Sequence, residues 1–237
     1  MIIIENKQFD TNVTATITSC GRFDLLQKTI ESFLMTSGTG VNIKIYDDSA
    51  DKEEQQKIIQ AYGDTLDLYL GEKRMGQAWA LDFLYSKVDT YWLFHMEDDW
   101  EFLDTGYLQD SATILWNYPQ IMVCGLAIRP EYFELEAATK PKYLHGIKVW
   151  DHSKWRISEN HGWWYGWIGS PNLKRTSDVR SLPKFLSVPS EEDWDNTVWK
   201  GLVELGNKSV WLDKCYVKHI GYGRSLFPEG ERCWLKP

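Results

Sequence analysis

Residues Tyr91–Trp100 read YWLFHMEDDW, a largely apolar run that stops on three consecutive acids, Glu97, Asp98 and Asp99. A continuous run of this length suits a strand covered on both faces, as in parallel sheets flanked by helices. Three acids directly after such a strand are electrostatically unfavourable unless something positive compensates them. A divalent cation would do so, because Mg²⁺ or Mn²⁺ takes a few carboxylates and fills its other positions with phosphate and water. The competing reading is a solvated acidic turn.

Towards the N-terminus, Val13–Thr18 (VTATIT) is β-branched and bounded by Ser19-Cys20-Gly21, which predicts a strand. Leu25, Leu26, Ile30, Phe33 and Leu34 then share one helical face, with Asp24 and Gln27 spaced for a capping box. Val41–Tyr46 predicts a second strand, ending on Asp47-Asp48-Ser49. A polar helix over 52–61, a short strand at Leu66–Leu70 and a helical stripe from Ala78 to Val88 lead into the Tyr91 run. Beyond it come a helix around Leu108–Trp116 and a strand at Ile121–Leu126. This alternation predicts an α/β fold with a mixed, mainly parallel, Rossmann-like sheet between helices. Ligands of such sheets bind beyond the carboxyl ends of the strands. Ser19, Asp47-Asp48 and Glu97-Asp98-Asp99 each fall at such an end, so three polar clusters are expected to form one site.

From about Arg129 the pattern loosens, until a helix is expected from about Glu191 to Leu205. Ser190 and Asp193 could close a capping box there, and Trp194, Val198, Leu202 and Leu205 give it a buried stripe. The segment Asn160–Trp167 (NHGWWYGW) interleaves glycines with aromatics, as in a loop whose backbone approaches a ligand. Trp163, Trp164 and Trp167 are therefore expected to form a sugar platform, the alternative being a hydrophobic plug.

Composition narrows the classes. The 237 residues carry a formal net charge of −8 and no long basic run, which argues against a nucleic-acid partner. The opening MIIIENKQFD is too short an apolar run for a signal peptide or a membrane span, and no transmembrane segment is expected elsewhere. Cys20, Cys124, Cys215 and Cys233 form no CxxC pair and read as reduced thiols, so a cytoplasmic location is expected.

Four collinear pieces give the chain a family resemblance. VTATITSCGRFDLLQKTIESFL, IKIYDDSAD, EKRMGQAWALDFLY and HMEDDW resemble the first strand and nucleotide loop, the second-strand acids, the Arg-x-Gly-x-Ala segment and the acidic DxD motif of GT-A glycosyltransferases. The likeness is greatest to the inverting family that includes bacterial and viral polysaccharide enzymes. It implies a GT-A fold in one domain, with residues 1–128 binding a nucleotide sugar and 129–237 serving acceptor and catalysis. It also implies that Thr18, Ser19, Arg22, Asp47, Asp48, Arg74 and Asp98 surround the donor, a UDP-sugar in preference to a GDP-sugar. Asp99 would bind Mn²⁺ (or Mg²⁺), with Glu97 and His219 of the late His-x-Gly as further ligands. Lys218, Arg224 and Ser225 are alternative contacts to the diphosphate. In the Glu-Asp-x-Asp pattern of Glu192–Asp195, Asp193 would be the base towards a carbohydrate acceptor, with Glu192 second. Cys20-Gly21 departs from the usual polar-aromatic pair and leaves the base open.

Two other classes compete. A sugar-nucleotide pyrophosphorylase shares this kind of sheet but expects a glycine-rich phosphate loop, whereas TSCGRFD holds one glycine. A non-catalytic carbohydrate-binding protein would account for the tryptophans but not for the acids.

Overall fold

Two short strands, β1 (Ile2–Ile4) and β2 (Lys7–Phe9), pair antiparallel ahead of the first long strand. The computed structural model describes residues 2–4, 7–9, 13–38, 40–126, 141–151, 153, 155–158, 162–167, 171–188 and 191–224. Strand β3 (Val13–Ser19) is buried along its whole length, as its β-branched residues suit a strand packed on both faces. Helix α1 (Phe23–Ser37) buries Leu25, Leu26, Ile30 and Phe33. The capping box expected from Asp24 and Gln27 does not form, since Arg22 holds the cap position and no side chain caps the helix. Asp24 instead takes a bidentate, charge-assisted bond from Arg224, at 2.6 and 2.9 Å.

Then follow β4 (Asn42–Asp47), α2 (Lys52–Tyr62), β5 (Asp67–Leu70), α3 (Gln77–Ser86), β6 (Trp92–Glu97), β7 (Trp100–Phe102), α4 (Tyr107–Asn117) and β8 (Ile121–Leu126). Apart from β7, which the sequence pattern does not mark, these lie close to the bounds expected from the sequence. The remainder contains β9 (Lys142–Leu144), β10 (Ile147–Asp151), β11 (Trp155–Ser158), β12 (Gly162–Trp164), β13 (Asn172–Arg175) and α5 (Thr176–Arg180). A 3₁₀ turn at Phe185–Ser187 precedes α6 (Glu191–Trp194), which continues as a π turn (Asp195–Trp199) and α7 (Lys200–Glu204). Strands β14 (Lys208–Leu212) and β15 (Val217–His219) complete the described chain.

Among the described residues the main sheet has nine strands in the order β5-β4-β3-β6-β13-β8-β14-β10-β9. Only β13 and β10 run against the common direction, so the sheet is mainly parallel. Alternation along β6 feeds two cores. Trp92, Phe94 and Met96 pack with Ile30, Phe33 and Tyr107 of α1 and α4. Leu93 joins Leu81, Leu84, Trp167, Trp194 and Trp199 in the other core. Trp167 is therefore a core residue at 3% exposure and not the open platform that its neighbourhood suggested. Among the described residues no helix is long and apolar enough to cross a membrane.

Candidate functional site

Parallel pairing sets Ser19 beside Asp47 and Thr18 beside Glu97, so the three polar strand ends meet at one edge, as expected. Asp98 is the centre of this edge and has no exposed surface. Its Oδ2 accepts from Ser19 Oγ at 3.0 Å, Cys20 N at 3.4 Å and Arg22 Nε at 3.3 Å, while Arg22 Nη2 donates to Oδ1. The carbonyl of Asp98 accepts from Thr29 Oγ1 at 2.8 Å, and that hydroxyl accepts from Trp100 N at 3.0 Å. Asp98 thus latches the β3–α1 loop and helix α1 to the end of β6. Burial pushes its carboxyl up to about 6, against the charge of Arg22.

Asp99 is served from two sides. Its Oδ2 accepts from Arg22 Nη1 at 3.0 Å and lies 3.3 Å from His219 Nε2. Strand β15 brings His219 there by pairing it with Trp100, and Ile220 N donates to Asp99 O at 2.8 Å. Gly221 then passes so close that a Cβ would stand 2.2 Å from Asp99 Oδ2. Burial opposes ionisation of Asp99, but the hydrogen bonds and charges of His219 and Arg22 outweigh it and hold the carboxyl below its ordinary range. Burial likewise opposes the charge of Arg22, and Asp98 and Asp99 outweigh it in turn.

The other expected site residues divide into those near the edge and those committed elsewhere. Asp47, fully buried, accepts from Gly21 N at 3.0 Å, Ser49 N at 3.2 Å, Ser49 Oγ and Gln55 Nε2 at 3.5 Å. Asp48 accepts from Met75 N and Gly76 N, each at 2.7 Å, which fixes the segment entering α3. Glu97, expected beside the metal, is instead turned to Gln77 Nε2 at 3.3 Å and Trp100 Nε1 at 3.0 Å. Arg74 is exposed, yet near enough to Cys20 for its charge to oppose the rise that burial imposes on that thiol. Arg224 is engaged by Asp24, and Lys218 faces Glu101 at 3.9 Å.

Asp193 is exposed on α6, and two residues later Asp195 is fully buried, accepting from Tyr165 N at 2.7 Å and Trp167 N at 2.8 Å. Asn160, His161, Ser190, Ser225 and Cys233 lie outside the described residues, as do the side chains of Trp163, Trp164 and Glu192. The acidic run ending at Asp195 does not show which of its members turns inward, and the structural work of Thr29, Gln55 and Gln77 has no mark in the sequence. An isolated polar residue on a helix carries no periodic signal that marks a partner so distant in sequence.

A divalent ion is the group that the sequence resemblance implies here. Among the described residues no cluster of three or more His, Cys, Asp or Glu is arranged as a metal cage. The Asp99–His219 pair is a carboxylate–imidazole donor set, which suits an ion that keeps water and phosphate as its other ligands. One further observation bears on it: His219 Nδ1 is buried with no hydrogen-bond partner among the described residues.

The fold is that of the GT-A glycosyltransferases: a mainly parallel sheet between helices, with a polar site at its carboxyl edge. Among solved structures it is similar to GalNAc-T7 with UDP, GalNAc and Mn²⁺, at 11% identity and a TM-score of 0.67, covering 90% of this chain and 44% of that one. It is also similar to the mannosyltransferase PcManGT from Pyrobaculum calidifontis in complex with GDP-Man and Mn²⁺, at 10% identity, a TM-score of 0.59, and 92% and 59% coverage. Staphylococcus aureus TarS 1–349 in complex with UDP-GlcNAc gives 12% identity, a TM-score of 0.53, and 90% and 62% coverage. The chain spans about half the length of these structures. No family model and no curated protein matches the sequence.

Proposed function

We propose that this chain is a metal-dependent glycosyltransferase that moves a sugar from a nucleotide-sugar donor to a carbohydrate acceptor, with inversion. The observation that carries the reading is the convergence of Ser19, Arg22, Asp98, Asp99 and His219 at the strand ends of a GT-A sheet. UDP-sugars are favoured over GDP-sugars, and the solved neighbours include complexes of both nucleotides.

Asp99 and His219 would hold Mn²⁺ or Mg²⁺, which when bound supplies Lewis-acid stabilisation of the departing diphosphate. Thr18, Ser19, Arg22 and Arg74 would receive the base, ribose and phosphates. Asp47, Asp48 and Asp98 act mainly by holding the loops that carry those groups, because their oxygens already accept from the protein's own donors. Asp193 would take the proton of the acceptor hydroxyl as that oxygen attacks from the face opposite the leaving group, with Glu192 the second candidate.

The test is a panel of UDP- and GDP-sugars incubated with Mn²⁺ and scored by released nucleoside diphosphate, with and without carbohydrate acceptors. We expect one donor to be consumed, slowly by water alone and faster with acceptor. Asp193→Ala should keep donor binding and lose transfer, and unchanged turnover in that variant would move the base elsewhere. A lectin would consume no donor, and a pyrophosphorylase would release a sugar phosphate in the presence of pyrophosphate.

A further inference from the structure

We propose that Asp195 is a positioning residue that locks the Tyr165–Gly166–Trp167 turn to the helix carrying Asp193, and so fixes where an acceptor meets that base. The proposal rests on the glycosyltransferase reading and adds to it a residue with no assigned role.

The geometry is a divided carboxylate. Oδ2 accepts from Tyr165 N at 2.7 Å and Oδ1 from Trp167 N at 2.8 Å. Two charge-assisted bonds to amides two residues apart fix both the position and the tilt of the turn. Gly166 makes this possible: its φ of 101° curls the chain so that both flanking amides face one acceptor group, a conformation that other residues rarely adopt. Asp195 has no exposed surface, and a carboxylate is buried at such cost only where donors satisfy it.

The surroundings make the clamp rigid. Trp167 packs against Trp194, Trp199 and Phe185 at centroid distances of 4.6, 5.3 and 5.4 Å, and the Lys174 ammonium lies 4.5 Å from its ring. The helix widens to a π turn over Asp195–Trp199, a distortion frequent at functional sites. The turn also leads to the right place. It precedes β13, whose first residue, Asn172, pairs with His95 just before the acidic end of β6. Asp193, two residues ahead of the clamp, is exposed.

The test uses the full chain with Asp195→Asn, which keeps the shape but offers one acceptor and one amide group, and Asp195→Glu, which restores the charge. Three readouts are taken: amide exchange by peptide, UDP affinity with Mn²⁺, and turnover of the donor found in the panel. We expect Asp195→Asn to speed exchange at 165–167 at least tenfold while peptides of β3 and β6 are unchanged. Turnover should fall at least tenfold with KM for the donor within twofold, and Asp195→Glu should recover part of it. Unchanged exchange and turnover would overturn the proposal. Faster exchange throughout the chain with loss of UDP binding would also overturn it, by showing a purely structural acid. If the wild-type protein neither binds UDP nor consumes any donor, the glycosyltransferase reading fails and the positioning role falls with it, whereas the local exchange still decides whether the clamp exists.

Discussion

At the scale of single residues, the site is a set of buried charges that compensate one another, and small changes should therefore be felt strongly. Gly221 is the clearest case, because the space beside Asp99 Oδ2 is too small for a methyl group. Gly221→Ala should displace the Asp99 carboxylate and weaken Mn²⁺-dependent UDP binding at least tenfold, about 1.4 kcal/mol. Metal-independent binding should change little, as titration calorimetry with and without Mn²⁺ would show. Thr29 is a second case, bridging Asp98 O and Trp100 N. Thr29→Val keeps the shape but leaves two buried backbone groups without their partner, and should cost about 1–3 kcal/mol in chemical denaturation. The acids were legible in the sequence because three of them end an apolar run. Thr29 was not, since a lone threonine inside an amphipathic helix looks like any other.

At the scale of elements, the strand–helix alternation up to β8 was legible because each element keeps one period long enough to be read. Strand β13 was not. Its sequence NLKR places Asn172, Lys174 and Arg175 in buried positions, so a central strand carries the residues of a surface loop. Arg175 shows how this is tolerated, donating to the carbonyls of Leu115, Pro119 and Ile121 and so tying β13 to the α4–β8 connection. The segments that shape the site are pinned in the same manner. Gln55 of α2 reaches Gly71 O at 2.8 Å and Asp47 Oδ1 at 3.5 Å, joining α2 to the ends of β4 and β5. Gln55→Leu should cost about 1–3 kcal/mol and lower the melting temperature. Loosening the ends of β4 and β5 in this way should also weaken UDP binding. A variant that melts and binds as the wild type would show that this junction is held by packing alone.

At the scale of the whole molecule, one deeply buried histidine should govern the response to acid. His95 lies in the centre of the sheet, with Nδ1 3.1 Å from Thr16 Oγ1. Burial, assisted by the charge of Lys174, holds it well below the usual imidazole range. Its folded pKa is thus depressed, so its contribution is fully present above the unfolded value near 6.5 and is lost as the pH falls below it. The loss approaches about 1.4 kcal/mol per pH unit for one such group. Asp98 works in the opposite sense: its carboxyl is raised from 3.8 to about 6, favouring the folded state as the pH falls through that window. Comparison with His95→Asn separates the two, since only the histidine contribution disappears. Between pH 7 and pH 5 the wild type should lose stability more steeply than His95→Asn in urea titrations, and equal slopes would refute this account of His95. The general architecture of the molecule was legible because parallel strands must deliver their polar ends to one edge. How each acid is used there was not legible, because that depends on which backbone amides the fold turns towards it.

On the proposed function, Asp99 and His219 would form the protein's half of a cation site that completes itself with a nucleoside diphosphate. Calorimetric titration of UDP and GDP into the wild type and Asp99→Ala, each with and without Mn²⁺, tests it most directly. Mn²⁺ is expected to tighten binding of one nucleotide at least tenfold in the wild type and to have no effect in Asp99→Ala. Equal affinity with and without the ion in the wild type, or an undiminished Mn²⁺ effect in the variant, would contradict it.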